Sequence, residues 1–203
     1  MAFTQDTFDY LADLAANNSK AWFEANRDRY EKHWRNAALD FIANVSEPMA
    51  ALDPPLAAVP KLNGSLRRIN RDVRFSRDKS PYHARLHMVF WHGEHPNRAP
   101  GVHVVLNPQG VGYGAGQFGF QPAGLAAIRD RIIDPADGNA LIAALDQASA
   151  VGCILGDPDL ARLPKGYQAD GRRADLLRHK AIVARTYDSD APRSSLIGEG
   201  AVD

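Results

Sequence analysis

Apolar residues change their spacing twice along this chain. Up to about Met49 they recur at helical intervals: Phe8, Leu11, Leu14 and Ala15 form one stripe after Thr4, and Asn17-Asn18 supply a stop. Ser19 is placed to cap a second, longer helix carrying Phe23, Tyr30, Ala37, Phe41 and Val45 on one stripe, with Trp22, Trp34 and Ala38 beside it. The opposite side (Glu24, Arg27, Asp28, Glu31, Lys32, Arg35) offers ion pairs at helical neighbour spacing. Pro48 and Pro54-Pro55 are expected to end this helix, because proline removes a backbone donor and crowds the preceding turn.

From about Pro60 to Phe120 the period falls to two. Arg68–Val73, Leu86–Trp91 and Val102–Leu106 read as strands, with Leu86, Met88 and Phe90 on one side of theirs and His87, Val89 and Trp91 on the other. Asn107-Pro108-Gln109-Gly110 is a turn into a further strand through Gly112, Gly114 and Gly116. Connections this short exclude crossover helices, so the pairing is antiparallel. Helical spacing then returns. Pro122 opens a helix with Leu125, Ile128 and Ile132 buried, and Asp134-Pro135 opens another with Leu141, Ile142 and Leu145 inside. Asp175–His179 reads as a short helix running into a strand at Ala181–Thr186. The prediction is an α+β fold: an antiparallel meander sheet with N- and C-terminal helices packed mainly on one face. One domain over 1–203 divides into a helical hairpin (1–50), the sheet (60–120), helices with a closing strand (121–187) and a loose tail (188–203).

Composition narrows the class. The chain has 203 residues, 24 basic and 24 acidic, and its hydrophobic content of 45% is that of a globular protein. Zero net charge argues against bulk nucleic-acid binding. No apolar run approaches the roughly 18 residues of a membrane span. The one cysteine, Cys153, sits among apolar neighbours and leaves no intrachain disulfide, so a cytoplasmic protein is expected.

Charge is nonetheless concentrated locally. Between Arg67 and Arg85 lie six arginines and Lys79, against Asp72 and Asp78. Guanidinium forks match phosphate or carboxylate oxygens and stay charged when partly buried. In an extended segment Ile69, Arg71, Val73 and Phe75 share one face and Arg68, Asn70, Asp72 and Arg74 the other. Ser76 and Asp78 look turn-forming, so Lys79 can fold back. The strip is either an anion pocket or a turn pinned by its own aspartates.

Several segments resemble the DUF2461 family, a bacterial and fungal group named without an assigned function. They are Asn17-Asn18 followed by Trp22-Phe23, the run Ile69-x-Arg71-Asp72-x-Arg74-Phe75-Ser76-x-Asp78-Lys79-x-Pro81-Tyr82, Gly112-Tyr113-Gly114-Ala115-Gly116, Leu125-x-x-Ile128-Arg129, Pro164-Lys165-Gly166-Tyr167 and Asp175-Leu176-Leu177. The resemblance runs to Ala184. It departs at Asn70, where an aromatic residue is expected, and after Arg185, where a polar tail replaces an apolar helix. It implies a single DUF2461-like domain and brings no activity, substrate or cofactor.

The leading expectation is a small anionic, phosphate-bearing ligand held by Arg71, Arg74, Arg77 and Lys79, with Tyr82, Lys165 and Tyr167 as further contacts. Two alternatives stand beside it. One is a metal-dependent hydrolase using His87, His92 and His95, although these histidines have no established ligand spacing. The other is an interaction module docking on an acidic partner. The alternate glycines of 110–116 lack the spacing and following helix of a dinucleotide fingerprint; they leave a bare face for another backbone, a ligand or, as the expected occupant, Trp22 or Trp91. No nucleophile–base pair and no cofactor motif is visible, and the sequence sets no oligomeric state.

Overall fold

The computed structural model describes residues 3–96 and 99–186; the expected loose tail lies outside them. Helix α1 (Gln5–Ala16) ends at Asn17, whose N–H reaches Asp13 O. The chain restarts at Ser19, whose hydroxyl accepts from Trp22 N, opening α2 (Lys20–Ala25). A nearly continuous helical run follows through α3 (Arg27–Arg29), a π-helical segment (Tyr30–Asn36), α4 (Ala37–Asn44) and α5 (Ser46–Ala50). Phe23, Tyr30, Ala37, Phe41 and Val45 are all buried, as their spacing predicts. The wide turn was not foreseen; within it Tyr30 and Trp34 are buried and their rings stack at 5.1 Å.

Pro48 does not end the run. It lies within the first turn of α5, where an N–H would have had no intrahelical acceptor, and the helix continues to Ala50.

Strands β1 (Leu86–Trp91), β2 (Gly101–Leu106), β3 (Val111–Gln117), β4 (Ile154–Leu155) and β5 (Ile182–Arg185) form one antiparallel sheet ordered β1-β2-β3-β5-β4. Asn107 builds the β2–β3 turn: its Oδ1 accepts from Gln109 N and Gly110 N at 2.9 and 3.1 Å. Two-residue β4 was too short to leave a periodic signal.

Pairing register carries Leu86, Leu106 and Val111 to one face, together with Met88, Val104 and Tyr113, and with Phe90, Val102, Ala115, Ala184 and Leu155. The helices pack mainly there, through two hydrophobic clusters. The N-terminal helices bury Leu86, Met88 and Phe90. On the β3–β5 side, α6 (Pro122–Ile133), α7 (Pro135–Ala150) and α8 (Gly171–Leu177) gather around Ile132, Leu176 and Leu177. Pro122 and Asp134-Pro135 start their helices as expected, Asp134 Oδ1 accepting from Ala136 N and Asp137 N. Ile128, Leu141, Ile142 and Leu145 are only half-buried, because this second core is small; Leu125 is half-buried too.

The strand expected at Arg68–Val73 does not form. One bridge, Asn70 to Tyr82, joins the segment to the chain before β1, with Arg71 N donating to Pro81 O and His83 N to Ile69 O. Pro81 has no N–H to extend the ladder. The chain then turns at Arg74-Phe75, so face-sharing breaks down: Ile69 is buried whereas Phe75 is 96% exposed.

The glycines of β3 face away from the helices by register, and neither tryptophan is what lies nearest Gly114 and Gly116. β5 is what approaches them: a Cβ on Gly114 would lie 2.6 Å from Ala184 O, and one on Gly116 only 2.0 Å from Ile182 O.

Candidate functional site

The arginine-rich loop largely organises itself. Arg74 Nε and Nη2 donate to Asp72 Oδ1 and Oδ2 at 2.9 and 2.6 Å, a bidentate pair in the open. Arg71 Nη1 donates to Asp78 Oδ2 at 2.5 Å and to Ser80 O at 3.1 Å. Asp78 Oδ1 also takes Ser80 N and Oγ, at 2.9 and 2.7 Å. Ser80 first, then Arg71, hold the Asp78 carboxyl down at about 2. Lys79 Nζ folds back onto Val73 O at 2.9 Å. Arg77 is exposed and makes no contact of this kind among the described residues.

Asn18 fastens the loop to the helical layer. Its amide donates to Tyr82 O at 2.9 Å and accepts from Tyr82 N at 3.1 Å, while the Tyr82 ring stacks on Phe23 at 4.2 Å. Two segments 64 residues apart are thus joined by one side chain. Asn18→Ala should cost about 1–3 kcal/mol, since both backbone groups lose their partner. Thermal unfolding should show it as a fall of roughly 3–9 °C.

Beside this junction opens a cleft of about 720 Å³, walled by Asn18, Arg71, Asp78, Tyr82, His83, Arg85 and the Asn107–Gln109 turn. Asp78 is the one acid among the described residues of its wall and is committed to Arg71. Among the described residues no carboxylate lies within ion-pair distance of Arg85. Burial, then Arg85, Arg71 and Arg68, push the His83 imidazole below its ordinary range, so three guanidinium groups act on that ring at once.

Of the expected ligand contacts, the cleft brings together Arg71 and Tyr82. Arg74, Arg77 and Lys79 are on the loop but not in the cleft wall. Lys165 and Tyr167 belong elsewhere: Tyr167 packs against the second core and its hydroxyl donates to Asp130 Oδ1 at 2.9 Å on α6. The residues not singled out from sequence are Asn18, His83, Arg85, Asn107 and Gln109. Arg85 was visible in the cationic strip; its role needed the fold.

His87, His92 and His95 do not converge. His92 Nδ1 faces Pro55 O at 3.0 Å, and His87 Nε2 meets His103 Nδ1 at 3.0 Å across β1 and β2. Among the described residues no group of three His, Cys, Asp or Glu side chains is arranged to hold a metal. His87 and His103 are half-buried, not solvated loop residues.

Burial first, then His103, Arg85 and Arg67, lower His87 to about 3; burial, then Arg67, lowers His103 to about 4. The native state therefore keeps both neutral, whereas unfolded imidazoles protonate near pH 6.5. Stability from this pair is complete above about pH 6.5 and declines as pH falls through the two native values. The loss should be on the order of 2–3 kcal/mol by pH 4, allowing for solvent reaching the rings. Urea midpoints at pH 7 and 4.5 should differ more in the wild-type chain than in His87→Asn/His103→Gln.

The fold is α+β with a cationic cleft where the arginine-rich loop meets the first helix and the sheet. The family described as conserved hypothetical protein (DUF2461) matches residues 6–195, and the chain belongs to it. The match runs beyond Ala184, so the family pattern extends past β5. No curated protein and no solved structure matches the chain. No helix among the described residues is long and apolar enough to cross a membrane.

Proposed function

We propose that this protein binds a small phosphate-bearing anion in the cleft lined by Arg71, His83 and Arg85. The reading is carried by one imbalance. Among the described residues, two guanidinium groups and an imidazole line the cleft against a single carboxylate, and that carboxylate already accepts from Arg71 and Ser80. Arg85 has no acid of its own among the described residues. Asn18, Asn107 and Gln109 add amide groups to the wall. A phosphate there gains charge-assisted hydrogen bonds without first breaking a bidentate pair. We place the protein in the cytoplasm, where its lone, buried and free Cys153 is at home.

A thermal-shift panel of sugar phosphates, nucleotides and pyrophosphate tests the reading. Stabilisation by at least one should be lost in Arg85→Ala and kept in Arg74→Ala, because Arg74 is clasped by Asp72 away from the cleft. Equal stabilisation of wild type and Arg85→Ala would count against this cleft.

A further inference from the structure

The sheet face opposite the helices carries two further cavities, of about 440 and 170 Å³, and both are lined by His87, His103 and Phe118. Arg67, Pro96 and Ala99 complete the larger one; Arg85 and Arg185 border the smaller. Among the described residues neither has an acid in its wall. The space follows from sequence: Gly112 and Gly114 leave β3 without side chains here. The larger cavity falls within the ~300–1,000 Å³ usual for small-molecule sites.

The histidine pair gives this space a specific chemistry. His87 stands opposite Val105 and His103 opposite Val89, so the two are diagonal neighbours whose rings meet through one hydrogen bond. With both rings neutral, that bond uses one donor and one acceptor. Whichever tautomer is present, the two outer nitrogens then offer one donor and one acceptor. Neither outer nitrogen bonds to protein among the described residues. Phe118 is 51% exposed and lies edge-on to His103 at 4.8 Å. Its ring, Pro96 and Ala99 make an apolar wall suited to a flat heterocycle, not to a hydroxyl-rich sugar.

Arg85 connects the parts, because it is a wall of both the smaller cavity and the phosphate cleft. We propose that the ligand is a nucleotide, its phosphates at Arg71 and Arg85 and its base beyond Arg85, against Phe118 with its polar edge on the His87–His103 pair. This rests on the phosphate-binding reading of the cleft. Arg185 adds positive charge beside the base and favours an anionic ligand over a free nucleoside.

Titration calorimetry of the full chain with pyrophosphate, and separately with adenosine, guanosine, cytidine and uridine diphosphates, separates the two claims. At least one nucleotide should bind about tenfold or more tightly than pyrophosphate, through base stacking and edge hydrogen bonds. Phe118→Ala, a surface change that leaves the cores intact, and His103→Ala should each reduce that advantage and leave pyrophosphate binding unchanged. Nucleotides binding no tighter than pyrophosphate would overturn the base seat and leave the cleft standing. An advantage that survives both substitutions would put the base elsewhere and also overturn it. Failure of pyrophosphate and every nucleotide to bind would remove the cleft reading, and this inference with it.

Discussion

Gly116→Ala should destabilise the protein by roughly 3–5 kcal/mol, the sum of backbone strain and steric overlap. Gly116 has φ +142°, a conformation open essentially to glycine alone, and its missing Cβ would lie 2.0 Å from Ile182 O and 2.7 Å from Val183 Cα. Those are backbone atoms of β5 and cannot rotate aside. The sheet must shed part of the β3–β5 ladder to admit one methyl group, and among the described residues β4 pairs with β5 alone. The thermal midpoint should fall by about 6–15 °C. Gly119→Ala is the matched control: φ there is +69° but nothing lies within 4 Å, so only the backbone cost of about 1 kcal/mol applies. Equal effects at the two glycines would show that β5 does not approach β3 as closely as described.

The second large effect concerns charge in the cleft, and here opposite substitutions should move affinity in opposite directions. Arg85→Glu removes a charged donor worth about 1.5–3 kcal/mol and adds a repelling carboxylate, so pyrophosphate affinity should drop about 100-fold or more. Asp78→Asn should do the reverse. Asparagine retains a carbonyl oxygen to accept from Ser80, while Arg71 is released from its ion pair and the Asp78 charge leaves the cleft. A gain of about 3- to 10-fold is expected, read by titration calorimetry. A purely structural loop would respond differently: Asp78→Asn would loosen it without strengthening any anion complex.

The fold was legible wherever local spacing and caps acted alone. The Phe23-to-Val45 stripe, strands β1 to β3, the Asn107 turn and the starts at Pro122 and Asp134 all follow from periodicity and proline or capping chemistry. Distant contacts decided the rest. The Arg68–Val73 alternation implied a strand, but the segment bridges its neighbour once and is then held by Asn18 acting on Tyr82. The glycine spacing announced a close approach, yet β5 lies far along the chain and no local pattern names it as the occupant.

The site divides in the same way. Its cationic strip was plain in the sequence, including the possibility that Asp72 and Asp78 would pin the turn, as both do. Which cation would face the cleft without a partner acid was hidden, because it depended on reach: Asp72 satisfies Arg74, Asp78 satisfies Arg71, Arg77 lies outside the cleft wall and Arg85 lies within it. The His87–His103 pair was hidden for another reason. The connection between β1 and β2 is too long for a tight turn to set their register, so nothing local places those rings together.

Calorimetric titration of the wild-type chain with inorganic pyrophosphate at low ionic strength bears most directly on the central claim. The expected result is one anion bound per chain, with affinity falling steadily as sodium chloride is added. No binding at millimolar pyrophosphate in low salt would contradict it, leaving the arginine-rich loop as scaffold alone.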